Sequence, residues 1–502
     1  MNSLDTPVIY LVHPRNRERA IRICREHAFS HIRLIQPVGY HDSIHLTAHA
    51  KKIVTDSGGL QCEAFYAGVP CVFVFDHGVW PETMVGNRNQ LAKADYRDIL
   101  KKLSAKQTID PDYQPFGDGY AAEKILSHID QWADQEGVTL HMKYALIGCG
   151  RIAVNHIRAA LDNQLEIAAV CDTVPEQMET LLAKYGLEQD ASIRRYTDYK
   201  RMIAELPDLE LIAVATSSGV HAEIALYCID CAIPVIIEKP IAMSMEDADE
   251  IVRRSREKGV AVATCHQNRF NFAVQRARKA LEAGRFGKLS HGSIHVRWNR
   301  NRGYYDQAAW RGTWAEDGGC LMNQCIHGID LLRWMMGDDV DTVYGLTRQQ
   351  QHPYLEAEDV GMAVVSFRSG AIATIEGTSN VYPKNLEETL YLFGETGTVK
   401  IGGTSTNTID VWQFADETES DREAKTLAEE TSNVYGNGHG RLYADVMAAI
   451  REKRPPYVDA FAGRNALEMV LAIYKSMKTG QPVKLPLKEF ASTDMRGTFD
   501  ES

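Results

Sequence analysis

Two short stretches carry residues able to move a proton. "VIIEKPIAMS" ends an apolar run on Glu238, Lys239 and Pro240, and "RGTWAEDGGCLMNQCIHGIDLLRWMMG" sets His327 behind a glycine pair. A lysine beside a bound hydroxyl and a cationic ring would have a depressed pKa, which suits proton transfer near neutrality. Asn323 precedes His327 by one helical turn, so both are expected on one side of a helix, with Asp330 further along. Lys239, His327 and Asn323 are therefore the candidate catalytic residues.

A third stretch, "YALIGCGRIAVNHI", supplies a partner for such chemistry. Gly148 permits a tight turn after a strand, Gly150 lets a backbone approach a diphosphate, and Ala153 lets the next helix pack closely. The diphosphate would sit on free N–H groups at the helix start. Asp172 ends the following strand, where an acid accepts from a ribose 2′-hydroxyl and repels a 2′-phosphate, so NAD is expected over NADP. The expected cofactor contacts are Gly148, Gly150, Arg151, Ile152, Asp172, Thr216, Ser217, His221, Glu238, Lys239, Gln267, Trp310 and Arg311.

A basic cluster of Arg297, Arg300, Arg302 and Arg311 stands out in a chain of net charge −12. It reads either as a solvated loop or as a cradle for anions, because arginine forks match carboxylates and phosphates. Cys228 and Cys231 form a lone CxxC that reads as helix packing. Cys320, Cys325 and His327 lack a fourth ligand, so no metal site is expected. Scattered cysteines and the absence of a signal-like start or a long apolar run suggest a cytoplasmic protein with no membrane partner. The acidic balance, without a long basic run, argues against nucleic acid.

Elements that would position these residues follow from periodicity. A length of 502 residues allows several domains. Residues 1–136 alternate short strands and helices, closing on an amphipathic helix in "AAEKILSHIDQWADQ". The pattern pauses near 134–142 and restarts at 143 as βαβ units, giving a doubly wound parallel sheet over 143–265. From 266 to 490 longer strands with hairpin signals at "RSGA" and "ETGT" predict a mixed or antiparallel sheet with one open face. "DETESDREAKTLAEETS", 416–432, reads as a solvated charged segment. The fold class is α/β: an N-terminal strand–helix unit, which a resemblance at residues 53–70 implies to be half of a GT-B fold, then a Rossmann domain and an α+β domain.

GCGRIA, Asp172, EKP at 238–240, "HQNRF" at 266–270 and the GG…NQCIHGID helix together resemble the Gfo/Idh/MocA oxidoreductases. The resemblance implies a catalytic lysine at Lys239, a catalytic histidine at His327 and a C-terminal sheet that mediates oligomerisation as a dimer or tetramer. Many members carry aspartate where this chain has Asn323. The "YYDQAAWRGTW" version is similar to bacterial UDP-N-acetyl-2-amino-2-deoxyglucuronate dehydrogenases of surface-polysaccharide pathways. Those enzymes oxidise the sugar C3 hydroxyl with NAD. On that likeness Arg297, Arg302, Tyr304, Tyr305, Asn323 and His327 would bind the UDP-sugar, and 2-oxoglutarate could reoxidise the cofactor in place.

A second glycine turn, "IVTDSGGLQCEAFYAGVP", follows the strand at 53–55. With "VHP", "LIQPVGYHD" and "PFGDG", it resembles the C-terminal half of non-hydrolysing UDP-N-acetylglucosamine 2-epimerases. The likeness would make His13, Ser57, Gly58, Gly59 and Glu63 a UDP site. The half that supplies most of that family's acid/base carboxylates has no counterpart here, so epimerisation by this domain alone is not expected. Other readings are a dehydrogenase of a different nucleotide or free sugar, or a non-catalytic NAD- and UDP-sugar-binding regulator.

Overall fold

Residues 6–107, 141–418 and 438–500 are described by the computed structural model, with Tyr113, Pro115, Phe116, Lys124, Ile125 and Asp421 between them. Most of the helix expected over 121–135, most of "PFGDG", the junction up to residue 140 and most of 416–432 lie outside the described residues. The chain divides into two units, Met1–Val138 and Thr139–Ser502.

The first unit holds two small parallel sheets. Strand β1 (Val8–Leu11) pairs with β2 (Ile32–Ile35), and β3 (Ile53–Thr55), β4 (Cys71–Val74) and β5 (Asn89–Ala92) form the other. Helix Gly58–Tyr66 starts directly after the β3 turn, capped by the Ser57 hydroxyl, which accepts from Leu60 N at 3.4 Å.

The second unit opens with a six-stranded parallel sheet in the order β11-β10-β9-β6-β7-β8. Its strands are β6 (Lys143–Ile147), β7 (Glu166–Cys171), β8 (Arg194–Tyr196), β9 (Leu211–Val214), β10 (Val235–Ile237) and β11 (Val262–Thr264). Residues in β6, β9 and β10 are almost all buried, as expected of central strands covered on both faces. The strand order reverses between β6 and β9, and in doubly wound sheets ligands bind at the carboxyl ends of strands beside that point.

An eight-stranded mixed sheet follows, in the order β18-β17-β16-β12-β15-β14-β13-β19. These are β12 (Leu289–Arg297), β13 (Val340–Arg348), β14 (Val360–Phe367), β15 (Ile372–Thr378), β16 (Glu387–Gly394), β17 (Gly397–Gly402), β18 (Thr408–Phe414) and β19 (Val483–Lys484). Only β12 and β15 run parallel. Helices Ile326–Met336 and Ala460–Thr479 cover one face. Alternate residues of β13, β14 and β15 point the other way and leave Tyr344, Leu346, Met362, Val364 and Ile372 exposed, with Tyr344 opposite Val364 and Leu346 opposite Met362.

Chain order and packing part company at helix Gly438–Glu452. It follows the second sheet in sequence, yet Leu442, Tyr443, Val446 and Met447 join the core formed by Tyr144, Leu146, Ile157 and Leu181 of the parallel-sheet layer. Tyr443 fixes the contact with its hydroxyl, 2.9 Å from Tyr144 Oη and 2.7 Å from His156 Nδ1.

Candidate active site

A cleft of about 1010 Å³ opens over the carboxyl ends of β6, β7, β9 and β10. Its floor is the glycine turn. Gly148 has φ +93°, and a Cβ there would stand 2.5 Å from the Ala215 carbonyl, so only glycine lets β6 and β9 come this close. Gly150 has open space where a Cβ would be, the vacancy a diphosphate needs on its way to the N-terminus of helix Ala153–Asp162. Asp172 is locked to this turn: Cys149 N donates to its Oδ2 at 2.7 Å and Val174 N to its Oδ1 at 2.8 Å. Arg151, Ile152, Thr216, Ser217, His221, Glu238, Gln267, Trp310 and Arg311 all line the same cleft, as do Lys239, Tyr304, Asn323 and His327. Gln177, Thr180, Tyr199 and Glu223 line it too and carried no sequence signal.

Lys239 leaves β10 with its ammonium group aimed across the cleft, where Nζ donates to the Asn323 carbonyl at 2.7 Å. That contact changes the expected helix. Cys320–Asn323 and Ile326–Met336 are separate helical segments, and Cys325 N reaches back to Cys320 O at 3.0 Å in a widened turn. The Asn323 carbonyl, which a continuous helix would use internally, serves Lys239.

Burial lowers the Lys239 pKa, against the pull of Glu238 and Asp317. Arg300 lowers it further. His327 is held well below the usual imidazole range by burial, then by Lys239 and His266, so it is neutral at pH 7. Its buried Nδ1 has no hydrogen-bond partner among the described residues, and its ring lies edge-on to His266 with centroids 5.6 Å apart. His266 is itself pushed down to about 4 by burial. The "HQNRF" turn is clamped to the His327 helix by Arg269, whose Nε and Nη2 meet Asp330 at 2.7 and 2.6 Å.

Next to Lys239, the Glu238 carboxylate accepts from the Lys239 backbone N–H at 3.2 Å. His156 Nε2 lies 2.9 Å from its Oε1, and His439 and Cys265 complete a buried group whose donor atoms lie within 4.8 Å of one another. Burial pushes the Glu238 carboxyl up, but His156 and His439 win and hold it well below the usual range. His221 spans the Pro240 carbonyl at 2.8 Å and the Thr216 carbonyl at 3.2 Å, tying the lysine loop to the turn after β9.

The arginine cluster is divided by the fold. Arg297 lies on the outer face of the eight-stranded sheet, bonded to Glu376 and Glu387 at 2.5–2.8 Å. Arg302 is exposed beside Asp306, and Tyr305 is buried with its hydroxyl 3.3 Å from Ser379 Oγ. None of these three lines the cleft. Inward and outward positions alternate along β12, so Val296 faces the core and Arg297 cannot. Arg311 remains at the cleft, bonding Tyr304 Oη at 2.5 Å, and Arg300 flanks Tyr304 at 5.0 Å from the ring centroid. Gln324 joins them, donating to Tyr304 Oη at 2.9 Å and accepting from Arg300 Nε at 2.7 Å.

In the first unit Ser57, Gly58 and Gly59 share the start of one helix, with Glu63 further along it, and His13 follows β1. Cys228 is buried in helix His221–Asp230, and Cys231 is exposed at its end.

A dinucleotide turn, an acid at the ribose position and a lysine and a histidine lining one cleft define an NAD-dependent oxidoreductase. Residues 142–266 match the family model "Oxidoreductase family, NAD-binding Rossmann fold", and 278–485 match "Oxidoreductase family, C-terminal alpha/beta domain". Residues 1–130 match "UDP-N-acetylglucosamine 2-epimerase". The chain is 35% identical to the WlbA dehydrogenase of Bordetella pertussis, solved with NADH and UDP-GlcNAcA, covering 69% of this chain and 98% of that one at a TM-score of 0.62. The WlbA enzyme of Chromobacterium violaceum, solved with the same two ligands, is 34% identical over 70% of this chain and 97% of that one, at a TM-score of 0.63. A UDP-N-acetylglucosamine 2-epimerase homolog of Methanococcus maripaludis is 37% identical over 123 residues, 24% of this chain and 34% of that protein. The chain belongs to the Gfo/Idh/MocA oxidoreductase family. It is an NAD-dependent sugar dehydrogenase preceded by an epimerase-like domain. Among the described residues no helix is long and apolar enough to cross a membrane.

Proposed function

We propose that this protein oxidises the C3 hydroxyl of a UDP-linked N-acetylhexosaminuronate to the 3-keto sugar, for surface-polysaccharide nucleotide-sugar synthesis. The observation that carries this reading is the Lys239–Asn323–His327 constellation in the NAD cleft, joined to 35% identity with an enzyme solved with NADH and UDP-GlcNAcA. NAD bound in the cleft would accept the hydride. Lys239, its pKa lowered by burial, takes the hydroxyl proton, and neutral His327, whose ring lines the cleft, orients the sugar and shares the proton. Asn323 adds a hydrogen-bonding group without charge. Arg311 and Tyr304, which line the cleft, supply the anion-binding wall.

Residues 1–136 serve as a UDP-sugar-binding or assembly unit using His13, Ser57, Gly58, Gly59 and Glu63. The exposed row Tyr344, Leu346, Met362, Val364 and Ile372 is the surface through which a homo-oligomer would form. The deciding experiment follows NADH absorbance with NAD and UDP-N-acetylglucosaminuronate, with and without 2-oxoglutarate, for the wild type and Lys239→Ala. NADH formation lost in the variant supports both chemistry and substrate. A wild type that binds both ligands and forms no NADH, even as one bound equivalent, rejects the uronate.

A further inference from the structure

We propose that Asp317 is a positioning residue for proton transfer, acting on Lys239 through Asn323. It sits in the irregular loop before helix Cys320–Asn323, with only 3% of its surface exposed. Its Oδ2 accepts from Gly312 N at 2.7 Å, and its Oδ1 accepts from Asn323 Nδ2. The backbone carbonyl of the same asparagine receives Lys239 Nζ at 2.7 Å. One residue therefore touches the buried carboxylate with its side chain and the lysine with its main chain.

The carboxylate also sets the direction of a longer chain of bonds. An ionised carboxyl only accepts and a guanidinium only donates. With Asp317 at one end, Asn323 must turn Nδ2 toward it and leave Oδ1 to accept from Gln324 Nε2 at 2.5 Å. Gln324 then turns Oε1 to Arg300 Nε at 2.7 Å and its amide N–H to Tyr304 Oη at 2.9 Å. The two amides have one orientation consistent with both ends, and in it Asn323 presents an N–H to the Asp317 carboxylate.

Charge is the second part of the argument. The groups acting on Lys239 are Glu238 from its own strand end, Cys265 after β11, Arg300 after β12, and Asp317. His327 senses Lys239 in turn, and so does His266. Glu238 exerts the larger pull on Lys239 and is itself bonded to His156 and His439, while Asp317 is the anion joined to the lysine through Asn323. When the sugar O–H breaks and a new N–H forms on Lys239, the amine becomes an ammonium and the hydride goes to NAD. The Asp317 charge offsets that ammonium. Burial pushes Asp317 up to about 6, and it is ionised at neutral pH.

This inference rests on Lys239 being the proton acceptor, so its test must not depend on turnover. Competitive acetylation by acetic anhydride, read by mass spectrometry, gives the titration of Lys239 directly. In Asp317→Asn the lysine should titrate about one pH unit lower or more, the effect of removing a nearby opposite charge. Moving the carboxylate, in the double variant Asp317→Asn with Asn323→Asp, should return most of that shift. Where Asp317→Asn does not fold, Asn323→Asp alone should move the lysine upward. With UDP-N-acetylglucosaminuronate, Asp317→Asn should lower kcat at least about tenfold and shift the acid limb of kcat/KM down, with NADH affinity unchanged. An unmoved Lys239 titration in Asp317→Asn, or no recovery in the double variant, overturns the proposal. A shifted titration in a protein that does not oxidise the uronate keeps the Asp317 role and rejects the substrate.

Discussion

Replacing Asp330 by alanine isolates the clamp between the "HQNRF" turn and the His327 helix. Arg269 and Asp330 are 7% and 2% exposed at their side chains and share two short bonds. The Arg269 guanidinium also lies 4.8 Å from the Trp334 ring centroid. Removing the carboxylate strands a buried cation, a change that costs about 3–5 kcal/mol. With a urea dependence of about 3 kcal/mol per molar, the transition midpoint should fall by about 1–2 M. Tryptophan fluorescence in a urea titration reads this, with Arg269→Met/Asp330→Leu as the control. A hydrophobic pair of similar volume restores packing without charge, so the control should lie within about 1 kcal/mol of wild type. The folded variant should also bind NADH more weakly, because His266 and Gln267 lead directly into the clamp. A loss under about 1 kcal/mol in Asp330→Ala, or a double variant as unstable as the single one, would refute the assignment.

Gly150→Ala should fold with wild-type stability and lose NADH affinity at least about tenfold in a fluorescence titration, because the added methyl enters open cleft. Gly148→Ala should lose both affinity and stability, since its Cβ meets the Ala215 backbone at a positive φ. Burial raises Glu358 to about 8, against its bonds from Leu321 N and Tyr474 Oη at 2.8 and 2.9 Å. A carboxyl raised on folding stabilises fully below its unfolded value near 4.5 and loses that contribution as pH rises through about 8. Urea midpoints should therefore fall between pH 6 and 9, and Glu358→Gln should flatten the slope; an unchanged slope would count against a neutral buried carboxyl. Arg297→Ala should leave the KM for the uronate within about twofold, and a large rise would return Arg297 to the substrate wall.

The strand–turn–helix at 143–157 was legible because two glycines, an apolar strand and a downstream acid each have one physical use there. Lys239 and His327 were legible for a related reason: a strand end and a glycine-led helix both deliver side chains to the cleft. Asp317 was not, because it lies in an irregular loop whose burial depends on Gly312 and Asn323 rather than on any period. The arginines are near in sequence but not in space, since alternation along β12 places Arg297 opposite the core while Arg311 lines the cleft. His156 and His439 meet at Glu238 from opposite ends of the second unit, and no local pattern announces such a meeting.

Helix Gly438–Glu452 sets a timetable for the newborn chain. The parallel sheet is fully synthesised once Thr264 has emerged, but Leu442, Tyr443, Val446 and Met447 still have to be added before its core is closed. At about 5–20 residues per second, the ribosome takes on the order of ten to thirty seconds to deliver them. During that interval Tyr144 and His156 lack the hydroxyl of Tyr443, and the apolar side of the layer faces water. The NAD layer is thus begun early and finished late, so a nascent chain stalled in the second sheet carries an exposed patch for a chaperone to hold.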